Sequence, residues 1–135
     1  MHLSNSAILL YAVVGAVFLT YFPYIFVAVG CFQAGFDISA PRAMFDKLPD
    51  YAKRATWAHQ NCFEALPIFA AAALMAYVTG VDADWAKYSA FAFLGSRLLF
   101  SVFYILDVPP LRSLMFGVGS AASFTLFAMS LKTLS

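Results

Sequence analysis

The chain has 135 residues, of which 63% are hydrophobic and 11% charged, and its net charge is +1. Soluble domains run at about 45–50% apolar and about 25% charged, so a chain of this length cannot hide that much apolar surface in a water-facing globule, and membrane residence is the first inference. The near-neutral balance gives no reason to expect nucleic acid as a partner, and the sequence shows no basic stripe, zinc-type Cys/His spacing or phosphate loop.

The charges cluster, and the gaps between clusters define the elements. Residues 6–32 carry no charge, residues 55–79 carry only Glu64, residues 85–106 carry Lys87 and Arg97, and residues 111–134 carry Arg112 and Lys132. A helix needs roughly 20 residues to cross the hydrocarbon core, and no strand-like alternation competes. The expectation is an all-α integral membrane protein: a single domain over residues 1–135, built as a bundle of four transmembrane helices at about 6–32, 55–79, 85–106 and 111–134. The first span lacks a basic start and a small-x-small cleavage site, so it reads as a retained helix. Pro23 and Pro67 fall inside helices, which membrane spans tolerate when neighbours re-satisfy the disturbed carbonyls.

Three loops follow. The first, Gln33 to Arg54, is long and polar and carries Arg42, Lys47, Lys53 and Arg54. The second, "TGVDADW", is a short acidic turn. The third, "DVPP", is so short that the helices flanking it are antiparallel neighbours. Lys/Arg asymmetry puts loops 1 and 3 on the cytoplasmic side and both termini on the opposite side. The absence of an inverted repeat or of a broken pair of helices argues against a transporter.

The second span starts with the segment "RATWAHQNCFEALPIF". At about 100° per residue, Lys53, Arg54, Trp57, Gln60, Asn61 and Glu64 fall within an arc of roughly 120°, with His59 near the opposite side. On the third span Arg97, Ser101 and Tyr104 share a face, and the fourth opens with Arg112 and Ser113. An ionisable residue inside a membrane is a functional-site hypothesis with a named partner. Glu64 and Arg97 are candidates to pair, and Arg54, Arg97 and Arg112 together suit an anionic ligand. Structural readings stand beside these. Glu64 with Arg97 suits a buried pair that fixes register, Asn61 suits interhelical glue, and Arg42, Lys53 and Arg54 suit positive-inside anchors. Tyr104 suits an interface aromatic, and His59 suits a helix contact better than a catalyst. Cys31 and Cys62 are expected to be packing thiols and not a disulfide. Gly15 and Ala16 on the first span, and Gly117, Gly119, Ser120, Ala122 and Ser123 on the fourth, suit close helix packing.

The segment containing Arg54, Ala58, His59, Asn61, Glu64, Pro67 and Phe69 resembles the signature of the MAPEG family, the membrane-associated proteins in eicosanoid and glutathione metabolism. "RLLFSVFYILDVPPLRSL" is similar to the family's second segment, through Arg97, Tyr104, Pro110, Arg112 and Ser113. With the four-span layout, the resemblance covers essentially the whole chain and is nearest to bacterial members, which implies the bacterial inner membrane.

The resemblance implies a homotrimer that binds glutathione at the cytoplasmic end of the subunit interface. It implies a transferase or peroxidase acting on lipophilic electrophiles or hydroperoxides that arrive through the membrane lipid. Arg112 would stabilise the glutathione thiolate, with Ser113 as a nearby hydroxyl donor. Asn61 and Glu64 would hold the peptide, the carboxylate facing the ammonium, and Arg54, Arg97 and Tyr104 would meet the carboxylates and backbone. No metal is needed. The sequence departs from the pattern at Trp57, where glutathione-binding members usually have Arg, and at Gln60, where some have a second Arg. A lost charged hydrogen bond costs about 1.5–3 kcal/mol. A second reading therefore keeps the fold and the polar pocket for a lipid or another small molecule, without catalysis.

Overall fold

A computed structural model describes residues 3–135. Four long helices make up the chain: α1 (Asn5–Ala34), α2 (Asp50–Val78), α3 (Asp84–Ile105) and α4 (Pro109–Leu134), with a short 3-10 helix at Pro41–Lys47 in the first loop. All four are long and apolar enough to cross a membrane, and the described residues contain no strand. They alternate up and down. Asn5, at the start of α1, donates from Nδ2 to the carbonyl and the carboxylate of Asp82 in the α2–α3 turn, both at 3.2 Å. At the other end, Arg54 near the start of α2 donates from Nε to the carbonyl of Ile105 at the end of α3, at 3.0 Å. Loops 1 and 3 thus share one end of the bundle.

The expected elements agree with the observed ones to within two residues at most ends, and α2 is the exception. It starts at Asp50, so the last residues of the expected first loop, Lys53 and Arg54 among them, are helical. Two local causes act. Pro49 in extended geometry ends the loop, and the carboxylate of Asp50 favours the positive end of the helix dipole. The extra turn is then held by packing, because Ala52 and Ala55 are fully buried and α1 presents Gly30 to Ala52. A Cβ on Gly30 would collide with the Cβ of Ala52. The hydroxyl of Tyr51 donates to Gln33 Oε1 across the same junction at 2.6 Å.

The helix ends are closed by the backbone. At the C-terminus of α2, Val81 N–H bonds the Ala76 carbonyl and Gly80 N–H that of Tyr77, with Gly80 at φ +71. This is a Schellman closure with glycine in the left-handed position. The end of α3 repeats it, with Val108 N–H to Phe103 and Asp107 N–H to Tyr104. Here the left-handed residue is Asp107 at φ +59, one of the few non-glycine residues whose short polar side chain tolerates it.

Within the bundle α2 and α3 pack on each other and on both outer helices. Phe69 and Phe93 stack face to face between them, 3.8 Å between centroids. Around this pair lie Leu9, Ala12 and Ala16 of α1, Ala72, Ala73 and Ala76 of α2, Ala86 and Ala90 of α3, and Leu126 of α4. Alanines in this number bring backbones close, the usual way membrane helices gain dispersion contact when lipid supplies no hydrophobic drive.

Of the small residues on α4, Gly119, Ala122 and Ser123 are buried, and a Cβ on Gly119 would come to 2.9 Å from Ser96 Oγ. Gly117 faces open space instead. His59 lies on the α1 side of α2 and its Nδ1 is 2.6 Å from the carbonyl of Thr20. A carbonyl only accepts, so Nδ1 carries the proton. Thr20 lies in the turn that Pro23 disturbs, and His59 satisfies a carbonyl there while resting edge-on against Phe63. It is a helix contact, as its place on the wheel predicts.

Candidate functional site

Arg97 is the centre of the site. It is 3% exposed, in the middle third of α3, and its Nη2 donates to Asn61 Oδ1 at 2.7 Å. The guanidinium lies over the ring of Phe100, 4.1 Å from its centroid. The expected pairing with Glu64 is not formed. The only ion pair among the described residues is Lys87 with Asp84 on the surface, at 3.0 Å. Glu64 lies three residues beyond Asn61, and on α2 that rotation takes its side chain to the exposed side, while the shorter amide of Asn61 reaches the arginine. Arg97 is therefore a buried cation held by neutral groups, with Nε buried and without a hydrogen-bond partner among the described residues.

A cavity of about 210 Å³ opens beside it. Asn61, Glu64 and Ile68 of α2 form one wall, Phe93 and Arg97 of α3 the floor, and Gly119, Ser120 and Ser123 of α4 the other wall, with Phe116 and Phe124 at its edge. Three of the expected site residues, Asn61, Glu64 and Arg97, thus line one space. Gly119 is what lets α4 approach Arg97 closely enough to form it, since Arg97 Cδ lies 3.5 Å from where a Cβ would be.

The remaining candidates lie toward the end of the bundle shared by loops 1 and 3. Tyr104 is stacked edge-to-face on Phe100 at 5.5 Å, and the guanidinium of Arg112 sits over the Tyr104 ring at 4.5 Å. Arg112 has no carboxylate partner among the described residues. Ser113 is exposed beside it. Arg54 spends its Nε on the Ile105 carbonyl, capping α3, and does not line the cavity. Trp57 is tilted between Phe45 of the first loop, at 5.7 Å, and Tyr104, at 6.5 Å. Contacts run from Arg97 at the cavity through Phe100 and Tyr104 to Arg112, and the cavity residue Phe116 lies 6.4 Å from Phe100; Tyr104 and Arg112 do not themselves line the cavity.

Sequence reasoning missed several lining residues. Phe93, Phe116 and Phe124 are ordinary apolar residues of membrane spans, and nothing in their spacing marks them. Ser120 and Ser123 read as small packing residues. Their hydroxyls among glycines and alanines are the one signal available, and Ser123 also bonds its own helix at the Gly119 carbonyl, 3.3 Å away.

With this geometry in hand, the comparisons with known proteins are specific in one respect. A family model described as the MAPEG family matches residues 8–132. No curated protein and no solved structure matches the chain.

Proposed function

The chain belongs to the MAPEG family and is an integral membrane protein, and from that premise we propose that it is a glutathione-dependent transferase or peroxidase acting on lipophilic electrophiles or hydroperoxides. The observation that carries the reading is the buried guanidinium of Arg97, unpaired by any described carboxylate, at the wall of a cavity that Asn61 and Glu64 share. A buried cation without a counter-charge is costly, and an anionic ligand removes that cost.

The residues fit glutathione in charge and in length. Arg97 and Arg54 offer cations for its two carboxylates, Arg112 one for the developing thiolate, and Glu64 a carboxylate for its ammonium. Arg97 and Tyr104 lie seven residues apart, about 10 Å along a helix, and an extended tripeptide spans about the same distance. The bound thiol supplies the nucleophile. Arg112, free of an acidic partner, provides positive charge for the sulfur, and Ser113 provides a hydroxyl donor beside it. Asn61 and Arg97 fix one end of the peptide, and the lipophilic partner reaches the apolar edge of the cavity, at Ile68, Phe116 and Phe124, from the bilayer.

The same reading includes a homotrimer in the bacterial inner membrane, with loops 1 and 3 cytoplasmic. Gln60 and Glu64 are exposed on a span that crosses the membrane. Polar groups at lipid depth face bundle interiors or water, so a second copy against this face of α2 supports the assembly. A lipid or another small molecule in the cavity is the competing reading, favoured by Trp57 in the position where an arginine is usual.

The test is thermal stability of the detergent-purified protein with added glutathione. At 100 times its dissociation constant a ligand stabilises by about 2.7 kcal/mol, and Arg112→Ala is expected to keep part of the shift but lose thiolate absorbance near neutral pH. No shift at tens of millimolar, on the order of the weakest affinities worth considering, would favour the lipid reading.

A further inference from the structure

Cys62 takes part in none of the chemistry above. It follows Asn61 on α2 but faces the seam between α1, α2 and α3, where it is 3% exposed. Arg97 Nη2 donates to its sulfur at 3.4 Å, and Ser101 Oγ lies 3.6 Å from it. Cys31 provides a contrast within the same chain. It is also buried, but in an apolar cluster with Leu48 and Ala52.

The setting of Cys62 holds room as well as a thiol. A second void of about 10 Å³ lies in this seam, lined by Thr20, Cys62, Phe93 and Arg97 among others. That is about the space one water-sized guest needs. Arg97, which lines this void, donates from Nη2 to the Cys62 sulfur and keeps a buried Nε without a partner among the described residues, a donor that a small polar guest within reach would satisfy.

We propose that Cys62 is an oxidisable thiol that reacts with hydrogen peroxide, oriented by Arg97 and Ser101. The void selects the oxidant. Hydrogen peroxide is uncharged, close to water in size and able to cross a bilayer, whereas a lipid hydroperoxide does not fit. The sulfur attacks one peroxide oxygen, the S–O bond forms and the O–O bond breaks. The electron pair leaves with the second oxygen, which takes the thiol proton through the Ser101 hydroxyl and departs as water. Sulfur is oxidised by two electrons to the sulfenic acid and the peroxide is reduced. Arg97 places positive charge beside the oxygen on which negative charge develops. The new S–O oxygen then competes with Asn61 for Arg97, which links the oxidation state of Cys62 to the larger cavity. That link rests on the glutathione reading; the oxidation does not.

The experiment exposes membranes containing the full chain to hydrogen peroxide, removes the oxidant with catalase, and then denatures the protein in the presence of a dimedone-type trap for sulfenic acids. Both cysteine peptides are quantified by mass spectrometry. Cys62 is expected to carry roughly tenfold more trap than Cys31, because thiol reactivity follows electropositive surroundings. Ser101→Ala and Arg97→Lys should each slow trapping severalfold, and tert-butyl hydroperoxide should be a poor substitute. Equal trapping at both cysteines overturns the inference, as does no trapping at Cys62 in protein whose two thiols both alkylate after denaturation. Trapping unaffected by either variant overturns the orienting roles. Selective trapping in a protein whose stability ignores glutathione would remove the proposed function and leave Cys62 as a redox site.

Discussion

Arg97 and its neighbours include residues that hold the bundle and residues that the proposed function assigns to a ligand. Asn61 accepts from a guanidinium that is 3% exposed, so Asn61→Leu strands a buried charge. The expected loss is about 1–3 kcal/mol, the cost of an unsatisfied buried donor, seen as a lower unfolding temperature in detergent. Glu64→Gln is expected to leave stability within about 0.5 kcal/mol, as exposed substitutions do, because Glu64 is exposed and outside any ion pair. Under the proposed function the same substitution should weaken glutathione binding by roughly tenfold or more, by removing the charge that would face the ammonium. If Glu64→Gln instead lowered the unfolding temperature as far as Asn61→Leu, the division of labour drawn here would be wrong. The wheel brought Asn61 and Glu64 to one arc of α2, but it does not say how far each side chain reaches. The choice of Asn61 over Glu64 as the partner of Arg97 depends on the side-chain geometry between two packed helices.

Helix contacts and helix ends decide how the elements meet. Gly30 touches Ala52 with no room for a methyl group, so Gly30→Ala must push α1 from α2. An overpacking cost of about 1–3 kcal/mol is expected, measurable by denaturation in mild detergent. Gly80 occupies the left-handed position that closes α2, and Gly80→Ala is expected to cost about 1–2 kcal/mol there. The converse, Asp107→Gly at the end of α3, is expected to be neutral or mildly stabilising, within about 1 kcal/mol. These closures were partly visible in sequence, as "TGVD" and "DVPP" are turn signals. The early start of α2 was less visible, because Lys53 and Arg54 read as loop charges, whereas Ala52, Ala55 and Ala58 at helical spacing are all buried and hold this stretch as helix.

At the scale of the whole molecule, the proposed trimer would set a second copy against the exposed polar face of α2 and the open edge of the cavity. Crosslinking in native membranes is expected to capture trimers, and cysteine at an exposed position of this face, as in Gln60→Cys, should crosslink between protomers; purely monomeric protein in a lipid bilayer would contradict the interface. The sequence by itself determined the four spans, their alternation, the family resemblance and the polar arc on α2. These depend on local composition and on helical periodicity, which a single chain carries in full. Only the tertiary structure decided that Arg97 bonds Asn61 and Cys62, that Glu64 stands apart, and that Gly119 leaves a cavity beside the guanidinium. Those outcomes depend on distances between helices that are set jointly by Gly30, Gly119 and the alanine-rich seams, and no residue's place in the sequence records the approach of a helix it has yet to meet.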